Sequence, residues 1–185
     1  MDWEFTVLDW IQSNLRCGFL DTVMPIVTFL ADGGWFWIAL TLLGFIPKRT
    51  RKYAHVAAIA LILCLLCGNV ILKPLIARIR PYDVNTAMQS MLLVKAPDDF
   101  SFPSGHTQAS FAVATSICFW KRQWGIPALI LAVVIAFSRM YLYVHYPTDV
   151  LAGFCFGVVF AFVGLLLCDK LFRGRKQWDG CTPKK

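Results

Sequence analysis

Two of the three histidines in this chain stand in short polar stretches between apolar runs. His106 closes "PSGH" at 103–106, and His145 lies in "SRMYLYVHYPTD" at 138–149, four residues before Asp149. With an unperturbed pKa of ~6.5, imidazole can act as nucleophile, base or acid at neutral pH, and a nearby carboxylate can fix its tautomer. Cations accompany both histidines: Lys73 and Arg80 in "KPLIARIRP" at 73–81, and Arg139 beside Ser138. Phosphate suits that set, because Arg offers it planar, two-armed hydrogen bonds and Lys a point charge. Gly105 permits close backbone approach, and Ser104 is expected to cap a helix continuing through Thr107, turning free amides and the positive dipole end toward an anion. Taken singly, each stretch also has an ordinary reading as a capped turn or a helix end.

The elements that must carry these residues are membrane helices. The chain is 58% hydrophobic and 16% charged over 185 residues, which suggests one domain embedded in lipid. Residues 150–168 form an uncharged run long enough to cross ~30 Å of hydrocarbon at ~1.5 Å per residue, and 54–72 and 125–144 are comparable. Shorter runs at 19–31, 33–47 and 107–120 bring the expectation to five or six spans. The predicted fold is an all-α integral membrane bundle of six transmembrane helices. Its predicted parts are an amphipathic segment at 1–18, a membrane-embedded domain at 19–172 and a basic cytoplasmic tail at 173–185. Trp3, Val7, Trp10 and Ile11 recur at helical spacing, as in a helix lying in the interface, while Asp2, Glu4 and Asp9 argue against a signal peptide.

Orientation sorts the net charge of +7. Basic clusters at 48–52, 121–122 and 173–176 alternate along the chain and belong to the cytoplasmic side by the positive-inside rule, so they call for no nucleic acid partner. Lys73, Arg78, Arg80, Lys95 and Arg139 then fall on the opposite face, with His106 and His145; His55 falls on the basic side as an interfacial residue. Cations kept against that bias suggest an anionic ligand. Seven cysteines, mostly within apolar runs, read as packing rather than as a disulfide framework or a metal site. "GFCFG" at 153–157 has the small-residue spacing of close helix packing, in the bundle or in a dimer, and the oligomeric state stays open.

In order and spacing, the three stretches resemble the type 2 phosphatidic acid phosphatase family: Lys, six residues, Arg-Pro; Pro-Ser-Gly-His; Ser-Arg, five residues, His, three residues, Asp. The resemblance implies a six-helix, metal-independent membrane enzyme without cofactor, and the charge asymmetry puts its site on the extracytoplasmic face of the cell membrane. It implies His145 as the nucleophile that forms a phosphohistidine, Asp149 as its orienting partner, and His106 as the acid that protonates the departing oxygen and then activates water. Lys73, Arg80, Ser104, Gly105 and Arg139 would hold the phosphate. Needing one His neutral and one charged predicts a bell-shaped pH dependence.

Asp149 has a second reading, as an anion in the first turn of a helix begun by Pro147. Arg78 and Lys95 have no place in the motif, and Asp98 and Asp99 read as a solvated loop. The expected substrates are phosphatidic acid, phosphatidylglycerol phosphate and undecaprenyl pyrophosphate, presented from the bilayer. Family members specialised for the last often carry Asp at the position of Gly105, which leans the chain toward broader lipid phosphatases. The rivals are a lipid phosphotransferase using the same site and a non-catalytic lipid-phosphate transporter.

Overall fold

The computed structural model describes residues 2–172; the expected basic tail at 173–185 lies outside the described residues. All regular structure among them is helical. Helix α1 spans Asp2–Asn14 and leaves Trp3 and Trp10 exposed while burying Glu4, Leu8 and Ile11. Ile11 thus departs from the expected lipid-facing row. Residues 4, 8 and 11 form a second stripe one turn apart, and that stripe packs on protein rather than lipid.

Helix α2 (Gly18–Phe29) passes through a tight turn at Asp32–Gly34 into α3 (Trp35–Leu43), with a bend of 42° between them. Gly33 and Gly34 carry the positive φ values, 56° and 72°, that this turn requires. Helix α4 (Arg51–Leu63) runs without a break into a π-helical stretch, Cys64–Leu72, and then into the single turn α5 (Lys73–Ile76). Ala77, at φ 46°, ends that run, and α6 (Pro81–Val84) follows. The π winding coincides with a close contact: a Cβ on Gly68 would lie 2.2 Å from Gln108 Oε1.

Helices α7 (Gly105–Trp120), α8 (Arg122–Tyr141) and α9 (Pro147–Leu171) complete the bundle, with α7 packed along α8, α9 and α4. Small residues set the α7–α9 distance. A Cβ on Gly153 would come within 2.7 Å of the Ser104 carbonyl oxygen, and one on Gly157 within 2.5 Å of that of Gln108. The "GFCFG" spacing therefore seats α9 against α7 within the bundle. Cys64 and Cys168 are buried, and the six cysteines among the described residues are free thiols.

Among the described residues, three helical stretches are long and apolar enough to cross a membrane: Arg51–Val84, Arg122–Tyr141 and Pro147–Leu171. The bent α2–α3 pair adds a fourth when taken as one broken span. At 16 residues α7 covers only ~24 Å at ~1.5 Å per residue. The expected six spans are therefore not reached on length and composition.

Candidate active site

The three polar stretches meet at one end of the bundle. Lys73 stands where the π-helical stretch ends, Arg80 immediately before α6, and Arg139 in the last turn of α8. After α8 the chain reverses through Tyr143, at φ 59°, with the Val144 amide donating to the Arg139 carbonyl at 3.1 Å, and this reversal turns His145 inward. Lys73, Arg80, Arg139, His145 and Asp149 are all buried.

Arg80 organises the centre. Its Nη1 donates to the Val144 carbonyl at 2.7 Å and lies 3.3 Å from His145 Nε2, while its Nε donates to the Asp99 carbonyl at 2.7 Å. An imidazole nitrogen beside an Arg donor is the unprotonated one, so the proton sits on Nδ1 and the Nε2 lone pair faces Arg80. Burial, then Arg80, Arg139 and Lys73, hold the His145 pKa well below its ordinary value. Arg139 donates through Nη1 to Thr28 Oγ1 on α2 at 2.5 Å, and its buried Nε has no hydrogen-bond partner.

His145 Nδ1 lies 3.5 Å from Asp149 Oδ2 without forming a hydrogen bond. Asp149 stands in the first turn of α9, where Oδ2 accepts the Tyr146 amide at 3.0 Å and the Ser101 hydroxyl. Both readings of Asp149 thus describe one residue: it caps α9 and also sits against His145. Its Oδ1 accepts Arg78 Nη1 at 2.5 Å, and Arg78 Nη2 reaches Glu4 at 2.6 Å. Arg78, left without a place by the motif, is therefore bound to the acid of the motif. With the partners 71 positions apart in sequence, only the cation-on-the-wrong-face argument pointed to it.

Ser104 departs from expectation. It stands at the N-cap position of α7, yet its side chain makes no cap; Oγ pairs with Thr107 Oγ1 at 2.9 Å. The Thr107 hydroxyl takes the place of a backbone amide as partner of the Ser104 side chain, leaving the first-turn amides uncapped by Ser104. Gly105 lies against the π-helical stretch, where an added Cβ would be 3.2 Å from Asn69 Oδ1. His106 Nε2 is 3.9 Å from Asp32 Oδ1 in the α2–α3 turn.

Asp99 is not simply solvated. Its carboxylate is ion-paired to both Lys73 and Arg80. Burial raises its pKa, but the hydrogen bonds and charges of Lys73 and Arg80 outweigh that and bring it down to about 2. The side chain stays about half exposed. Asp99 thereby holds two of the three expected phosphate cations.

A cavity of about 900 Å³ opens from this centre. Lys73, Arg80, Arg139 and His145 line its polar end, and Leu42, Phe45, Ala58, Leu61 and Leu65 its apolar reach between α3 and α4. From Ala58 to Lys73 the helical run spans roughly 20 Å at ~1.5 Å per residue. Lys95 also lines the cavity. Among the described residues, no three His, Cys, Asp or Glu side chains cluster so as to hold a metal.

A sequence profile of the PAP2 superfamily matches residues 52–173. This chain belongs to the PAP2 superfamily. Among curated relatives of this PAP2 protein is an undecaprenyl-diphosphatase of Sulfolobus acidocaldarius, 33% identical over 147 residues, covering 78% of this chain and 70% of the relative. A decaprenylphosphoryl-5-phosphoribose phosphatase of Mycobacterium tuberculosis is 34% identical over 179 residues, 94% of this chain and 93% of the other. The crystal structure of a transmembrane PAP2-type phosphatidylglycerolphosphate phosphatase from Bacillus subtilis superposes with a TM-score of 0.69 at 25% identity, covering 94% and 96% of the two chains.

Proposed function

We propose that this PAP2 protein, a membrane lipid phosphatase, works through a phosphohistidine on His145. One observation carries the mechanism: a buried imidazole whose Nε2 lies against Arg80 and which lines, with Lys73, Arg80 and Arg139, the polar end of a cavity that continues into an apolar cleft. His145 Nε2 attacks phosphorus and the phosphorus–oxygen bond to the lipid breaks, with His106 giving its proton to the departing oxygen. His106 then takes a proton from water as that water attacks the phosphohistidine, releasing inorganic phosphate and restoring both rings. Lys73, Arg80 and Arg139 neutralise the non-bridging oxygens, where charge gathers in the transition state. Ser104, Gly105 and the first amides of α7 complete the cradle, and Asp149 backs Nδ1.

Substrates with a phosphate at the membrane surface and tails in lipid fit the cavity. Phosphatidylglycerol phosphate, phosphatidic acid and undecaprenyl pyrophosphate all have that form. The site belongs to the extracytoplasmic face of the cell membrane, because the basic clusters around Arg51 and at Lys121–Arg122 lie at the helix ends remote from Lys73 and Gly105.

The test is phosphate release by detergent-purified protein with EDTA present, comparing wild type and His145→Ala on these three lipids. Release by wild type alone is the expected result. Release by His145→Ala at the wild-type rate sinks the covalent mechanism. Phosphate passed to a lipid acceptor without release identifies a phosphotransferase, and binding without turnover a transporter.

A further inference from the structure

A line of buried charge runs from the N-terminal helix to the back of His145. Glu4 on α1, only 4% exposed, accepts the Thr148 hydroxyl on Oε1 at 2.5 Å and Arg78 Nη2 on Oε2 at 2.6 Å. Arg78 Nη1 donates to Thr148 Oγ1 at 2.7 Å and to Asp149 Oδ1 at 2.5 Å, and the guanidinium lies 3.9 Å above the Tyr146 ring. These contacts hold Asp149 by one oxygen. The other, Oδ2, is the atom turned toward His145 Nδ1.

We propose that Arg78 and Glu4 are positioning residues for the His145–Asp149 pair. Arg78 fixes the rotation of the Asp149 carboxylate, and Glu4 offsets the charge of Arg78 so that Asp149 still acts on His145 as an anion. This rests on the reading of His145 as the nucleophile.

The charges decide why both residues are needed. Asp149 and Arg78 alone sum to zero, and a neutral pair gives little support to an imidazole that becomes cationic as Nε2 bonds phosphorus while Nδ1 keeps its proton. Glu4 returns the group to a net charge of minus one. That support matters because the other groups facing His145 are chiefly opposed to positive charge: Lys73 from α5, Arg80 at α6, Arg139 from α8 and His106 from α7, with Asp99 alone among them counteracting. A two-armed guanidinium also suits the geometry, since one arm serves each carboxylate; a Lys ammonium cannot span both in this way.

The experiment compares wild type, Glu4→Gln, Glu4→Asp, Arg78→Lys and the packing control Leu8→Ala. Its readouts are kcat, KM, the pH profile, thermal stability and acid-labile phosphate trapped on His145 from radiolabelled lipid phosphate. Glu4→Gln keeps the shape and removes the charge. It is expected to lower kcat by roughly 10- to 100-fold, the cost of losing an outer partner of a metal-bound histidine, with KM little changed, less trapped phosphohistidine and an acidic limb moved to lower pH. Glu4→Asp restores the limb, Arg78→Lys lowers kcat, and Leu8→Ala lowers stability without moving the limb.

A wild-type kcat and limb in Glu4→Gln overturns the proposal, as does the same limb shift in Leu8→Ala, which would assign the effect to packing. If Glu4→Gln does not fold, an unchanged kcat in Arg78→Lys overturns it. Wild type that releases phosphate but traps none on His145 defeats the nucleophile reading itself, a result distinct from these.

Discussion

The Asp99 carboxylate is ion-paired to Arg80, whose Nε also donates to the Asp99 backbone carbonyl at 2.7 Å. A phosphate drawn to Lys73 and Arg80 has to displace this internal anion. With its side chain about half exposed, the Asp99 pairing is of the weak kind, ~0.5–1 kcal/mol. Asp99→Ala is therefore expected to tighten competitive inhibition by inorganic phosphate about two- to five-fold, measured as Ki against a soluble short-chain lipid phosphate. A weaker Ki in the variant would mean that Asp99 helps to build the phosphate site.

Gly153 joins packing to the site. A Cβ there would press on the Ser104 carbonyl, at the start of the helix that carries His106, and on Thr107 at 3.1 Å. Overfilling a packed interface costs ~1–3 kcal/mol. Gly153→Ala is expected to lower both the midpoint of thermal unfolding in detergent and kcat, whereas at Gly18, with no atom near its Cβ direction, the same change should leave both in place.

The site was legible wherever chemistry follows from residue type at short range. Lys73, Arg80, His106, Arg139 and His145 stand out as polar interruptions of apolar runs, and hydropathy located the three long helices. The site's long-range pairings carry no such mark: Glu4 meets Arg78 across 74 residues, and Thr28 meets Arg139 across 111. Ser104 misled because a Ser before an apolar run resembles a cap, and only the fold shows Thr107 taking its hydroxyl. Asp99 misled because a charged loop residue is usually solvated. The π winding of Cys64–Leu72 left no periodic trace in a largely apolar segment; it coincides with the close approach of Gly68 to Gln108 on another helix.

Thr28 supplies the hydroxyl that holds Arg139 Nη1 at 2.5 Å. Hydrogen bonds to charged groups are worth ~1.5–3 kcal/mol. Thr28→Val preserves shape and removes the acceptor, so kcat/KM should fall by at least about tenfold while Thr28→Ser stays near wild type. Equal activity in Thr28→Val would mean that the bound phosphate alone orients Arg139.

The pH dependence follows from His145 and Asp99. Burial, reinforced by Arg80, Arg139 and Lys73, keeps the His145 pKa well below ~6.5, so the nucleophile is neutral across the physiological range. The acidic limb of activity is expected to lie below pH 6.5, where pH drops through the lowered folded value of His145. Below ~6.5 the unfolded chain binds a proton at this residue that the folded chain refuses, so acid also costs stability. Asp99 works in the same direction: with its pKa at about 2 it contributes stability above its ordinary 3.8, lost as pH falls through about 2. A bound phosphate places more negative charge beside His145 than Asp99 does and should raise the histidine's pKa. Titration of the imidazoles by nitrogen-15 NMR, with and without inorganic phosphate, would read this as an upward shift confined to residues at the site. Absence of any shift at saturating phosphate would separate His145 from the anion and defeat the assignment of Lys73, Arg80 and Arg139 as its cradle.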